Sequence, residues 1–335
     1  MTTLAIIGSG FLGRTLLYTL AKEQKLYRKI TLISSETFAP PCSLNSTAIV
    51  APRGLTMGHS HLGDYLLQGF LDFKSHVEEN SPHGIWPITQ YNGASEGLEN
   101  FRRRYPQGEL TGRLASIPLK KEIYFMPEEG FMLDPQIYMD WLLQETLKLK
   151  KFELEVISDF VIEVSDEASP KIKTQNGKHL NFDKVIFTGG NYNRFWAELM
   201  PKTVLETSKP VPGSYLEFLK HDWELPSFSI TLDGDNLIWN KELRKVIIGA
   251  TTESVSHLLP HESELKNIFI RLTEAIDLRF PDYHQGLVRT GVREKARKRE
   301  PYTLARDNIY FMGGMYKNGC SLPIKMTKDF SRQYL

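Results

Sequence analysis

The stretch Leu4-Ala5-Ile6-Ile7-Gly8-Ser9-Gly10-Phe11-Leu12-Gly13 decides the fold of the chain. Four apolar residues in a row are typical of a strand that is buried on both faces. Gly8 then permits a tight turn, Gly10 lets a pyrophosphate approach the backbone, and Gly13 lets a helix pack closely on the strand. The free N–H groups at such a helix start hold phosphates. A glycine-rich turn without a ligand is the alternative, but we expect a dinucleotide to contact Gly8, Gly10, Phe11, Leu12 and Gly13.

The next residues complete a strand-helix-strand unit. Residues 14–23 show helical spacing of apolar positions, and residues 29–33 form a second apolar strand candidate. Dinucleotide-binding units usually place an acidic side chain against the adenosine ribose just after this strand. Ser34 follows the strand directly, whereas Glu36 comes two residues later. We expect one of these two side chains at the ribose and favour Glu36.

The composition is that of an ordinary globular protein. The chain has 335 residues, a net charge of +1, 41% hydrophobic residues and 24% charged residues. It is long enough for two domains, and its balanced charge gives no global field that favours nucleic acid or an anionic membrane. Cys42 and Cys320 are the only cysteines, too few for a disulfide framework or a structural zinc site. No pair of histidines has a convincing metal spacing, so we assign no metal.

The apolar runs are short, and the first strand begins almost at Met1. No run approaches the roughly 18 residues of a membrane span, and there is no room for a signal peptide. We therefore expect a cytoplasmic protein without a membrane span.

A run of small polar residues, Cys42-Ser43-Leu44-Asn45-Ser46-Thr47, leads into the apolar residues 48–51. This run resembles the flavin-contacting segment of the glycine oxidase and D-amino acid oxidase family of FAD enzymes. The resemblance implies FAD as cofactor, with contacts from Ser43, Asn45, Ser46 and Thr47. A plain helix N-cap formed by Ser43 or Ser46 is the alternative.

Further motifs resemble this family, in the family order. Residues 160–164 and 172–174 are strand candidates, and residues 175–178 form a hairpin turn. The resemblance implies an adenine contact from the backbone of Val161. Residues 183–192 resemble the strand that closes on the cofactor, which implies contacts from Thr188, Gly189 and Gly190.

Two motifs of the central chain resemble parts of the substrate domain. Residues 209–215 are similar to the "P-V-x-G" crossover, and residues 246–253, which end at Glu253, are similar to an "I-G-A-T-x-E" strand. The order of all these motifs supports the resemblance more than any one of them.

The C-terminal motifs carry the expected chemistry. Residues 289–293 resemble a "G-L-R" motif whose arginine, here Arg293, holds the substrate carboxylate by a bidentate pair. Residues 308–319 resemble the strand and glycine turn that aim N–H groups at the flavin. Lys317 falls where glycine oxidase has a second basic residue near the substrate. Membership of the basic run 293–299 is the alternative for Arg293. The implied cofactor contacts are Gly314, Met315, Tyr316, Lys317, Asn318 and Gly319.

Two departures bear on the substrate site. Counted back without gaps from residues 249–251, the position of the family's substrate-facing tyrosine is Leu237, with Trp239 two residues further on. After Arg293, the family's "P-x-T-x-D-G-x-P" becomes Glu294-Lys295-Ala296-Arg297-Lys298-Arg299-Glu300-Pro301. The loop therefore inverts its charge.

The resemblance implies an α/β fold, in which a Rossmann-like FAD-binding domain carries an inserted α+β substrate domain built on an antiparallel sheet. We expect residues 1–51, 131–210 and 291–335 in the FAD-binding domain, and residues 52–130 and 211–290 in the substrate domain. Within the latter, Arg102-Arg103-Arg104 is most simply a solvated helix face.

The resemblance also implies the chemistry. FAD would accept a hydride from a small amino acid or N-alkyl amino acid, the imine would hydrolyse, and oxygen or another acceptor would reoxidise the flavin. Arg293 and Lys317 would be the catalytic residues that orient this carboxylate-bearing amine. The lost tyrosine and the altered loop favour an alternative, an FAD-binding protein without oxidase activity that acts as a sensor, partner subunit or relic. An NAD-dependent dehydrogenase is favoured only by the first glycine motif. The sequence leaves a homo-oligomer open.

Overall fold

The structure, a computed structural model, describes residues 2–165, 168–200, 208–252 and 261–335. Glu253, which ends the motif of residues 246–253, and Met1, the first residue of the expected FAD-binding domain, lie outside these residues. The strands are β1 (Thr2–Ile7), β2 (Tyr27–Ser34), β3 (Ile49–Val50), β4 (Ile85–Ala94), β5 (Glu109–Leu114), β6 (Ile117–Leu133), β7 (Glu153–Ser158), β8 (Val161–Val164), β9 (Lys171–Thr174), β10 (His179–Asn181), β11 (Lys184–Phe187), β12 (Lys209–Phe218), β13 (Phe228–Leu232), β14 (Asp235–Asn240), β15 (Lys245–Gly249), β16 (Leu287–Lys295), β17 (Tyr302–Arg306) and β18 (Ile309–Gly313). The helices are α1 (Phe11–Lys22), α2 (His61–Asn80), α3 (Leu98–Arg104), α4 (Pro135–Leu149), α5 (Asn193–Glu198), α6 (Glu262–Ala275) and α7 (Pro323–Tyr334).

The first sheet is built around β1. Its order within the described residues is β17-β18-β11-β1-β2-β7, and only the edge strand β17 pairs antiparallel. The predicted strand-helix-strand unit is confirmed as β1, α1 and β2. Because parallel strands need crossovers, helices and connecting segments cover both faces of this sheet.

The alternation of side chains along β1 explains the two cores of this half. Leu4 and Ile6 face α1 and α7, where they pack with Leu16 and Phe330. Ala5 and Ile7 face the opposite side and pack in a cluster with Val161 from β8 and Trp196 from α5. A strand buried on both faces needs apolar residues at every position, which is what the first motif supplies.

The second sheet has the order β16-β12-β15-β14-β13-β4-β6-β3, with β5 on β6, in the part of the chain that the structure describes. One face packs on α6 through Leu237, Trp239, Ile248 and Leu272. The other face combines a small apolar cluster of Ile88, Met132 and Ile238 with buried polar residues such as Gln90 and Asn92. The predicted fold class, a Rossmann-like domain with a substrate domain on a largely antiparallel sheet, is confirmed.

The expected domain boundaries stay a prediction, and three strands cross them: β6 at residues 130 and 131, β12 at 210 and 211, and β16 at 290 and 291. β16 pairs with β12 along its whole length and so continues through residues 290 and 291. α2, expected in the substrate domain, packs on the end of the chain: Tyr65 Oη donates to Asp329 Oδ2 at 3.4 Å, and Gly69 lies against Leu322. Among the described residues, no helix has the length and apolar character to cross a membrane.

Candidate functional site

A cavity of about 1100 Å³ lies between the two sheets. It extends from the turn after β1 to the polar face of the second sheet and to α3. Of the residues predicted to contact a cofactor or substrate, the cavity wall contains Gly8, Gly10, Phe11, Leu12, Ser34, Ser43, Asn45, Ser46, Thr47, Val161, Thr188, Gly189, Gly190, Arg293, Gly314, Met315, Tyr316, Lys317 and Gly319. Gly13, Glu36 and Asn318 lie outside it.

The turn between β1 and α1 has the geometry expected of a phosphate site. Gly8 has a φ of +108°, and its N–H donates to the carbonyl of Ile33 at 2.8 Å. A Cβ at Gly13 would lie 1.9 Å from the carbonyl oxygen of Gly8, so this glycine lets α1 pack on the turn. A Cβ at Gly10 would lie 3.0 Å from Ser43 Oγ. Because these positions are glycines, the N-terminus of α1, which is the positive end of the helix dipole, stays accessible to a ligand in the cavity.

The expectation for Glu36 is corrected by the structure. Ser35 Oγ accepts from the N–H of Phe38 at 3.2 Å, and this turn leads Glu36 out to the exposed surface. Ser34 stays in the cavity wall, where its Oγ accepts from Ser9 Oγ at 2.8 Å. Asp159, which was not predicted, is a buried acid just after β7, and its Oδ2 has no hydrogen-bond partner among the described residues. The sequence signal for Asp159 was its position directly after β7, the strand that pairs with β2.

The small polar run forms one wall of the cavity. Cys42–Asn45 is a short 3-10 helix, and Ser43 Oγ accepts from the N–H of Phe11 at 3.0 Å. Ser46 Oγ accepts from the N–H of Ala48 at 3.0 Å. The hydroxyl groups of both serines therefore accept hydrogen bonds from backbone N–H groups.

The second glycine strand end lies directly against the first. Thr188 Oγ1 donates to the carbonyl of Gly8 at 2.9 Å. The N–H of Gly189 donates to Asn193 Oδ1 at 2.9 Å, and a Cβ at Gly189 would lie 2.2 Å from the ring of Trp196. Trp196 Nε1 donates to the carbonyl of Val161 at 2.9 Å, so this carbonyl is already engaged.

The C-terminal glycine turn lies before α7. Gly314 has a φ of +76°, and a Cβ there would lie 2.7 Å from Ala296. Met315, Tyr316, Lys317 and Gly319 then line the cavity. Asn318 lies outside the wall, and its carbonyl accepts from the N–H of Leu322 at 3.1 Å, in the turn before the helix.

Arg293 is fixed in the cavity wall by the backbone. Its Nη2 donates to the carbonyl of Thr251 at 2.9 Å and to that of Pro212 at 3.2 Å. Gly213 makes room for this arrangement, since a Cβ there would lie 1.8 Å from Nη2. The guanidinium also lies 5.6 Å from the ring centre of Tyr316.

Lys317 lies on the same tyrosine ring, with its Nζ 5.8 Å from the ring centre. Partial desolvation in the cavity, followed by the charges of Arg293 and Arg53, lowers the pKa of Lys317 to about 8. The region where substrate is expected is therefore strongly cationic.

Glu294, which the sequence marks only as a departure from the family motif, is buried next to the C-terminal glycine turn. Its Oε2 accepts from the N–H of Gly314 at 2.9 Å, and its Oε1 accepts from Tyr302 Oη at 2.6 Å. Asn193 Nδ2 donates to Tyr302 Oη and to the carbonyl of Met312. Burial raises the pKa of Glu294 to about 7. This network connects the glycine turn at Gly189, through Asn193, with the glycine turn at Gly314, through Glu294.

The predicted position for a substrate-facing side chain, Leu237, is wrong. Leu237 is fully buried in the core under α6. The neighbouring Asn236 lines the cavity, because successive residues of a strand point to opposite faces. Tyr215 and Arg53 also line the cavity and were missed.

The prediction that Arg102-Arg103-Arg104 form a solvated helix face is confirmed, and two of the three arginines also line the cavity. All three side chains are exposed, but Arg103 and Arg104 line the cavity. Arg102 does not line the cavity, and its guanidinium donates to Tyr124 Oη. The chain gives no local signal for this difference, since it depends on where α3 lies against the second sheet.

The sequence profile described as "FAD dependent oxidoreductase" matches residues 3–322. No curated protein sequence matches the chain. Solved structures with a similar fold include an iminodiacetate oxidase from Chelativorans sp. BNC1, with 15% identity, 97% of this chain and 93% of that chain covered, and a TM-score of 0.78. A glycine oxidase from Bacillus cereus ATCC 14579 is similar with 16% identity, 99% and 96% coverage, and a TM-score of 0.78. A glycine oxidase from Geobacillus kaustophilus has 15% identity, 98% and 93% coverage, and a TM-score of 0.76.

Proposed function

Because this chain belongs to the family of FAD-dependent oxidoreductases, we propose that it uses FAD to oxidise a small amino acid or N-alkyl amino acid. The observation that carries the proposal is Arg293, a guanidinium held by two backbone carbonyls in the cavity wall next to Lys317. A planar donor fixed in this way suits the two oxygens of a carboxylate. The NAD-dependent alternative has no support in the family match.

The residues of the cavity fit FAD. Two glycine turns, at Gly8 and Gly189, meet at one end, where a side chain on either would strike the opposite backbone or Trp196. The N-terminus of α1 supplies the charge complement of a pyrophosphate. The turn at Gly314 and the segment 43–47 line the remainder of the same cavity. We propose that these segments hold the adenosine, pyrophosphate and flavin parts of the cofactor.

When bound, FAD supplies the chemistry by accepting a hydride from the carbon that carries the amine. The residues of the chain supply orientation and electrostatics. Arg293 would hold the substrate carboxylate and so fix the reacting carbon relative to the cofactor. The nearby charges of Arg53, Arg293 and Lys317 would disfavour a protonated amine and so favour the neutral form that reacts. No side-chain base is required in this scheme.

The similar structures support a small substrate. Their names describe oxidases of iminodiacetate and glycine, both of which carry a carboxylate on the carbon next to the amine. The electron acceptor of the present chain is open to test, with oxygen as the first candidate.

The proposal is tested by product analysis with FAD-loaded protein. N-methylglycine, glycine and iminodiacetate are incubated with the protein in air or with an artificial electron acceptor. We expect release of a 2-oxo acid and of ammonia or an amine from at least one compound, and a large loss of this activity in Arg293→Met. Arg289→Met, in the same strand but paired with Glu217, is the matched control. FAD binding without any product would instead support the passive FAD-binding protein.

A further inference from the structure

The cavity holds more positive charge than one carboxylate needs. Arg293 and Lys317 stand on one side of it, and Arg53, Arg103 and Arg104 also line it. None of the ion pairs between described residues involves any of these five cations. No carboxylate of a described residue therefore lies at ion-pair distance from these cations, and Glu128 acts on Arg53 and Arg104 without such a contact.

Four of these five cations, Arg293, Lys317, Arg53 and Arg104, form a row. Arg293 and Lys317 share the ring of Tyr316. Arg53 is close enough to Lys317 to act on it electrostatically, and Arg104 acts in the same way on Arg53. The loop of Arg53 packs on the end of α3, because a Cβ at Gly54 would lie 2.8 Å from Arg104 Cγ.

Three carboxyl groups around the cavity are held by neutral hydrogen-bond donors and form no ion pair with this row, although Glu128 offsets part of the charge of Arg53 and Arg104. Glu128 accepts from the N–H of Gly54 at 2.7 Å and from Asn92 Nδ2 at 2.7 Å. Asp233 accepts from the N–H and the hydroxyl of Ser95. Glu294 is bound to Tyr302 and to the backbone of Gly314. The proposed pyrophosphate site is built from the turn between β1 and α1, at Gly8 and Gly10, and not from the segments that carry the row.

We propose that the substrate carries two acidic groups, the amino acid carboxylate at Arg293 and Lys317 and a second anionic group at Arg53 and Arg104. The second group is a carboxylate or a phosphate-like group, since both suit arginine donors. This inference rests on the proposed function for the amine, while the second anion site depends only on the cations described above.

Binding is tested with thioethers, which cannot be oxidised as amines. A series of (carboxyalkylthio)acetates with one, two or three methylene groups is titrated against the FAD-loaded protein by calorimetry and by the flavin spectrum. Each compound is compared with an alkylthioacetate of the same length that ends in methyl. A (2-phosphonoethylthio)acetate distinguishes a phosphate-like group from a carboxylate. We expect at least one doubly charged compound to bind about tenfold or more tightly than its methyl-ended partner.

Variants locate the second group. In Arg53→Met, and separately in Arg104→Gln, the preference for the doubly charged compound should fall to about threefold or less. Arg102→Met removes a charge from the same helix outside the cavity and should keep the wild-type preference. If Arg53→Met does not fold, the preference for the doubly charged compound in Arg104→Gln and in wild type still tests the second anion site.

The outcomes separate the two proposals. Equal binding of doubly and singly charged compounds throughout the series overturns the second anion site, and so does a preference that survives both variants. If no amine is oxidised but the doubly charged thioethers bind more tightly, the anion site stands and amine oxidation fails. If N-methylglycine is oxidised as readily as iminodiacetate and N-(phosphonomethyl)glycine, amine oxidation stands and the second anion site is overturned.

Discussion

Arg293 is positioned by hydrogen bonds to the backbone carbonyls of Pro212 and Thr251. Replacing it with lysine therefore tests whether the guanidinium shape, and not the charge alone, binds a carboxylate. Lysine has a single ammonium group and cannot hold two backbone carbonyls while presenting a planar pair of donors to a carboxylate. We expect Arg293→Lys to weaken carboxylate binding by about 2 to 5 kcal/mol. The dissociation constant of a simple carboxylate inhibitor, followed through the flavin spectrum, measures this effect.

The control for Arg293→Lys is Arg289→Lys, which changes the same residue type in β16 at an ion pair with Glu217. It should leave the dissociation constant within about twofold of wild type, because Arg289 does not line the cavity and lysine keeps the positive charge opposite the buried Glu217. Wild-type carboxylate affinity in Arg293→Lys would contradict the role given to this guanidinium.

Glu294 predicts a pH dependence of stability. Burial raises its pKa from 4.5 to about 7, so the folded state holds a proton that the unfolded state releases between these values. The stabilisation is present below about pH 4.5 and is lost as the pH rises through about 7, by an amount on the order of 3 kcal/mol. Denaturant unfolding of wild type and Glu294→Gln at several pH values measures it.

Glu294→Gln should be less sensitive to pH than wild type over this interval and more stable than wild type at pH 8. Glu300→Gln, at an exposed position nearby, is the control and should follow wild type. Parallel pH profiles for wild type and Glu294→Gln would show that the carboxyl does not titrate in this way.

At the scale of elements, the turn between β1 and α1 predicts cofactor loss on a single substitution. A side chain at Gly10 would displace Ser43, whose Oγ lies 3.0 Å from the position of a Cβ, and would fill the approach to the N-terminus of α1. We expect Gly10→Leu to purify with little or no FAD. The ratio of flavin to protein after gel filtration measures this, and circular dichroism checks the fold.

Gly112→Leu is the control for the glycine turn, because a Cβ at Gly112 meets only Glu122, at 3.9 Å. It should retain FAD at the wild-type ratio. A normal FAD content in Gly10→Leu would remove the physical basis for the pyrophosphate site.

The strand-helix-strand unit was predictable because its signals are local. Four apolar residues, three glycines and one helical period lie within residues 4–23. The position of Leu237 was not predictable in this way. The count back from residues 249–251 crosses the turn between β14 and β15, and an error of one residue moves a side chain from the cavity to the core.

At the scale of the molecule, the order of motifs along the chain predicted the family and the cofactor, and the match over residues 3–322 confirms both. The substrate end of the cavity was harder to predict. Arg53, Arg104, Asn236 and Arg293 come from segments far apart in sequence, and only the packing of α3 and the second sheet brings them together. No local pattern distinguishes Arg104, which lines the cavity, from Arg102, which does not.

The most direct test of amine oxidation is anaerobic reduction of the FAD-loaded protein. Without oxygen, hydride transfer from a substrate bleaches the flavin absorption band at about 450 nm. Glycine, N-methylglycine, iminodiacetate, D-alanine and L-proline are added in turn, with dithionite as the reference for full reduction. We expect at least one amino acid to bleach the band completely in wild type and far more slowly in Arg293→Met. A flavin band that persists with every compound yet bleaches with dithionite would contradict the proposed oxidation.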